Sequence, residues 1–101
     1  MPEQNMDSIS RLFQVILQLG SEEECRRFFE DLCTVREIAD MAQRLDAAFL
    51  LDKKCSYQQI AKDIQISTAT IGRVSKCLNY GSGGYRLALD RWYAAEKGAC
   101  E

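Results

Sequence analysis

The sequence predicts an all-α domain of six helices, and three observations carry that prediction. Apolar residues recur at three- and four-residue spacing along most of the 101 residues, and no stretch sustains the apolar–polar alternation of a strand. The only proline is Pro2, so no later helix interior holds that breaker. Capping residues or glycines punctuate the pattern at Gly20-Ser21, Thr34, Ser56, Ser67 and Gly81-Ser82-Gly83-Gly84.

The first helix is expected over about Asp7–Leu19, where Ile9, Leu12, Phe13, Ile16, Leu17 and Leu19 form a broad stripe, with Gly20 as a left-handed stop. Ser21-Glu22-Glu23-Glu24 is a capping box with an acidic first turn, opening a second helix to about Leu32 that buries Cys25, Phe28, Phe29 and Leu32. Thr34-Val35-Arg36-Glu37 repeats the box and starts a longer third helix reaching about Asp52. Lys53-Lys54-Cys55 is a connector. Ser56 caps a fourth helix, about Tyr57–Ile64, and Ser67 a fifth, about Thr68–Asn79. After the glycine-rich break a last helix, about Tyr85–Lys97, turns Tyr85, Leu89, Trp92 and Tyr93 inward, with Gly98 as its stop.

Length allows one domain, residues 1–101, small enough that a partner subunit often completes its core. The composition, 47% apolar and 28% charged, is that of a globular chain rather than a disordered one. The longest apolar run, Ala47 to Leu51, is far too short to span a bilayer. Met1-Pro2-Glu3-Gln4-Asn5 lacks the basic-then-apolar order of a secretion signal, so a cytoplasmic protein is expected. Five cysteines, an odd number with no Cys-x-x-Cys pair, and the lack of any histidine argue for reduced thiols and against a zinc site or a fully paired disulfide scaffold. Lack of histidine also removes the commonest general base near neutral pH. No catalytic set, metal site or cofactor is predicted, and the chain does not read as an enzyme.

The net charge of −2 is unevenly spread. Residues 1–52 carry five basic against eleven acidic side chains, whereas residues 53–80 carry Lys53, Lys54, Lys62, Arg73 and Lys76 against Asp63 alone. The field near that second segment follows its local excess of four positive charges rather than the acidic whole. Within it, residues 57–76 have the pattern of a helix-turn-helix. Ile60, Ala61, Ile64, Ile66, Ile71 and Val74 fall where two short helices meet, with small Ala61 at the crossing. Ser67, Thr68, Ala69, Thr70, Gly72, Arg73 and Lys76 are small, polar or basic, a surface able to enter a major groove about 12 Å wide. Gln65 stands in the turn where a left-handed backbone usually selects glycine, a substitution costing on the order of 1 kcal/mol.

The runs Gln43-Arg44-Leu45, Ser56-Tyr57-Gln58-Gln59-Ile60-Ala61, Ser67-Thr68-Ala69-Thr70-Ile71-Gly72-Arg73-Val74 and Cys77-Leu78-Asn79-Tyr80-Gly81 resemble the Trp repressor-like family, in its YerC/YecD branch, over about residues 7–93. The resemblance implies an intertwined six-helix homodimer, a transcription regulator whose two reading heads meet successive major grooves of double-stranded DNA. It assigns base reading to Thr68, Ala69 and Gly72 and a phosphate contact to Gln58, where this chain has no charge. It also implies an effector site at Thr34, Arg44 and Arg73, with Cys77 in place of a serine and Val74 in place of a glycine. A branched side chain at 74 crowds an indole, and a thiol is a poor partner for an ammonium group, so tight tryptophan binding is not expected and the effector is left open. The other reading of the same residues is a helical dimer serving as a protein-interaction subunit with weak or lost DNA affinity. Its support is the low isoelectric point with Gln58, Gln65 and Gly72.

Overall fold

The computed structural model describes residues 2–100, and side chains over residues 6–97. Six helices and no strand occur among the described residues: α1 (Pro2–Leu17), α2 (Glu22–Leu32), α3 (Val35–Asp52), α4 (Tyr57–Ile64), α5 (Thr68–Tyr80) and α6 (Gly84–Cys100). The chain forms two compact units, Met1–Ile38 and Ala39–Glu101, with the boundary inside α3.

In the first unit the Thr34 capping box is complete, and the Ser21 box is made on the serine side, its Glu24 carboxylate going one residue further back to Gly20. The Ser21 hydroxyl accepts from the Glu24 amide at 3.1 Å, and Thr34 and Glu37 bond reciprocally, amide to side chain, at 2.8 and 3.0 Å. Those two bonds from Thr34, backbone first, hold the Glu37 carboxyl below its ordinary range. Two expectations fail here. Gly20 is not left-handed. α1 ends at Leu17, earlier than expected. The amides of Gln18 and Leu19 bond tightly back to Val15 and Ile16, and the Gly20 amide is taken by the Glu24 carboxylate at 2.7 Å, so no left-handed stop is needed. Leu32, expected inside, is exposed, as are Leu17 and Phe13, at 82% and 58% of their full surface for the last two. α2 contains no fully buried residue, although Phe28 and Phe29 meet edge to face at 5.6 Å.

The second unit holds every fully buried side chain among the described residues: Ala47 and Ala48 of α3, Ile60 of α4, Ile71 and Val74 of α5, and Leu89 of α6. α4 packs on α5 and α5 on α6. α3 ends in a Schellman turn, in which the Lys54 amide bonds to the Leu51 carbonyl and the Cys55 amide to that of Leu50. Lys54 occupies its left-handed position (φ 69°), which the sequence does not announce because glycine is the usual occupant. Beyond the turn, Asp52 is clamped to α6 by both Nη atoms of Arg86, at 2.7 and 3.2 Å, while Arg86 Nε holds Asp90 at 3.0 Å. Gly81 closes α5 with its amide on the Cys77 carbonyl, and a Cβ there would collide with that carbonyl. Gly98 does not stop the last helix, which continues to Cys100. Trp92, expected inward, is 56% exposed and touches Phe49 edge to face at 6.3 Å.

Gln65 adopts the left-handed conformation the turn requires (φ 54°, ψ 47°). Gln65→Gly removes that Cβ strain and should stabilise the protein by about 1 kcal/mol in urea unfolding followed by circular dichroism. The Arg86 guanidinium, hydrogen-bonded to Asp52, holds that carboxyl below the ordinary value. Stability from this pair is therefore complete above the unfolded carboxylate value of about 4 and is lost as pH falls through the lower folded value. Asp52→Asn should lower Tm at pH 7 and show a smaller further fall than wild type between about pH 5 and pH 2.

Candidate nucleic-acid interface

The helix-turn-helix stands as α4, the three residues Gln65-Ile66-Ser67, and α5. Each helix is started by a serine that accepts an amide hydrogen bond at 3.1 Å, Ser56 from Gln59 and Ser67 from Thr70. The hydroxyls of Ser67 and Thr70 also lie 2.9 Å apart. The last carbonyl of α4, on Ile64, receives the Gln43 side-chain amide at 3.3 Å, which ties α4 to α3. Ile60, Ile71 and Val74 are buried at the crossing, with Ala61, Ile64 and Ile66 packed against them.

Burying Ile71 and Val74 turns the rest of α5 outward. Thr68, Ala69, Arg73 and Lys76 are exposed, Gly72 is half-buried, and 69, 72, 73 and 76 share one helical face. Gln58 and Lys62 are exposed on α4. Ser67 is exposed and spends its side chain on the cap, while Thr70 is half-buried. Asp63, the sole acid of residues 53–80, accepts the Gln59 side-chain amide at 2.8 Å.

Thr70 belongs to a second feature, a cleft of about 400 Å³ between α3, the turn, α5 and the start of α6. Arg44, Arg73, Val74 and Cys77 line it, all four of them positions that the sequence resemblance placed at an effector site. Neither arginine forms an ion pair among the described residues, and Cys77 is an exposed free thiol. Thr34 lies in the first unit, where it caps α3 through Glu37. Asp40, Gln43 and Tyr85 also line the cleft; from sequence Gln43 belonged to a family run and Tyr85 to the inward face of the last helix, and none of the three was assigned to this site. The four-residue step from Asp40 to Arg44 could have pointed to the first; spacing marks Tyr85 as inward-facing, and it does not say that it meets this cleft. Cys25, Cys33 and Cys55 are free and half-buried, and no metal-binding cluster occurs among the described residues.

Residues 7–93 match the family model described as Trp repressor protein. YerC of Bacillus subtilis (strain 168), an uncharacterized protein, is 51% identical over 83 residues, covering 82% of this chain and 80% of its own. The crystal structure of a TrpR-like protein from Eubacterium eligens superposes with a TM-score of 0.82 at 42% identity, over 85% of this chain and 89% of that one. A candidate Trp repressor from Staphylococcus aureus superposes with a TM-score of 0.83 at 39% identity, over 92% and 95% of the two chains.

Proposed function

The chain belongs to the Trp repressor family, whose members are transcription regulators rather than enzymes, and from that premise we propose that it represses transcription as a homodimer that binds a two-fold symmetric DNA site through residues 57–79. The observation that carries this reading is the outward face of α5, small and basic, held on a buried inner edge. Such a face fits the major groove, and Lys62, Arg73, Lys76 and the Lys53/Lys54 pair supply phosphate contacts from a segment whose only acid is already hydrogen-bonded. Thr68 and Ala69 at the start of α5 are the base readers, and Gln58, Ser67 and Thr70 add uncharged polar contacts or hold the turn.

The dimer is supported by the apolar surface left open in each unit. Phe13 and Leu17 in the first, and Trp92 and Leu87 in the second, are more than half exposed, and a second copy is the occupant the family implies. We propose accordingly that residues 1–101 act as one domain completed by a partner copy. Among the described residues no helix is long and apolar enough to cross a membrane, and the site of action we propose is the cytoplasm. The cleft beside α5 is the candidate effector site. Arg44 and Arg73 suit a carboxylate or another anion, while Val74 narrows the space an indole needs.

Selection from random duplex DNA should enrich a palindrome. If each subunit neutralises about three phosphates, the log–log salt slope is roughly −5. Lys76→Ala should weaken binding to all sequences alike, whereas Thr68→Ala should change the preferred base. No enrichment, with a slope near zero, would favour a protein-interaction subunit instead. Isothermal titration with tryptophan should give no binding in the low micromolar range, and affinity at that level would overturn the account of Val74 and Cys77.

A further inference from the structure

The half-buried position on the outer face of α5, Gly72, has no side chain, yet its neighbourhood is not empty. A carbon placed as its Cβ would lie 3.9 Å from Cε2 of Tyr57, the first residue of α4, and would meet no other atom within 4 Å apart from its own helix and chain neighbours. The edge of the Tyr57 ring thus borders the space beside position 72 at van der Waals distance. Tyr57 is 42% exposed, and its hydroxyl forms no hydrogen bond among the described residues. The Ser56 cap fixes the backbone from which the ring leaves, so the ring is held at its base and bordered along one edge by position 72.

We propose that Tyr57 is a specificity-determining residue, its ring resting on Gly72 and its hydroxyl reading a base edge where α5 itself offers no side chain. The assignment rests on the DNA-binding reading above. In a helix-turn-helix the first helix crosses the backbone and the second lies in the groove. A side chain that starts on the first and rests on the outer face of the second spans both. A Cβ at 72 would only touch the ring at ordinary van der Waals distance, whereas the γ atoms of a threonine, turned toward the ring, would displace it. A phenol can donate to a base acceptor or accept from a base donor, and it carries no charge, so its loss should alter preference without altering the count of phosphates neutralised.

The test is selection from random duplex DNA with the full chain as wild type, Tyr57→Phe and Gly72→Thr, followed by titration on the selected and on a scrambled duplex. Tyr57→Phe keeps the ring contact and hence the fold. It should relax one base position in each half-site, weaken the selected duplex about five-fold, and leave the scrambled duplex and the salt slope unchanged. Gly72→Thr should shift preference at that same position. Equal weakening on both duplexes would make the hydroxyl a phosphate contact and overturn the proposal, as would unchanged binding to both. A wild-type protein that enriches nothing would overturn the DNA-binding reading itself, a result separate from either outcome with the variants.

Discussion

The lock between Ile71 and Val74 on α5 and Ile60 on α4, closed by Ala47, Ala48 and Leu89, is the constraint on which the rest of the second unit depends. These six are the fully buried residues of the described chain, and none has a polar side chain to satisfy. Fixing two positions three residues apart on one helix fixes its rotation, and rotation decides which residues face outward. Thr68, Ala69, Gly72, Arg73 and Lys76 are presented because 71 and 74 are not. The two alanines matter for the same reason: a small residue on α3 lets the helix pair approach closely, and truncating an aliphatic side chain such as Ile71 would loosen the crossing at a cost of about 2–5 kcal/mol.

Electrostatics works on a shorter scale than the whole chain. At physiological salt, charges more than about 8 Å apart are largely screened, so a phosphate beside α5 responds chiefly to Lys62, Arg73 and Lys76 on the helix pair itself. Several glutamates of the N-terminal half are engaged locally: Glu22 pairs with Arg26 at 2.7 Å within α2, Glu24 takes the Gly20 amide, and Glu37 of α3 takes that of Thr34. An overall negative charge and a basic reading helix are thus compatible. What the acidic excess does weaken is long-range attraction of the protein to any DNA, which leaves more of the discrimination to contacts inside the groove.

Much of this was legible in the sequence because the informative signals are local. Both capping boxes, the Ser56 and Ser67 caps and the left-handed Gln65 involve residues within four positions of one another, and the buried edge of the helix pair follows from spacing alone. The failures share a different cause. Gly20 and Gly98 are residues that permit a stop without enforcing one, and the backbone took other routes at both. Lys54 shows the converse, a left-handed turn imposed by the chain's need to leave α3 without a glycine to advertise it. Trp92 and Leu32 are apolar and correctly spaced, but periodicity says which face is apolar and not whether this chain alone covers it. At the candidate site, Arg44, Arg73 and Cys77 were legible through motif, whereas Tyr57 against Gly72 and Tyr85 in the cleft depend on tertiary placement that no spacing rule encodes.

Helix α5 is shared between its two sides more tightly than a scaffold carrying a separate pocket would be. Val74 is both a buried core residue and part of the cleft wall; Arg73, its neighbour, lines the cleft and is exposed on the face with Lys76. Thr70 lines the same cleft while its amide anchors the cap of α5 on Ser67. A molecule in that cleft would press on three consecutive turns of the helix that carries the reading face, and the close packing around Val74 leaves little slack to absorb the push. A ligand that favoured one rotation of α5 would change what the outer face presents through its differential contacts with that rotation, with no longer pathway required. By the same reasoning, the valine that narrows the cleft also ties this stretch of α5 to the core, so the packing that fixes the outer face and the wall of the cleft are one structure.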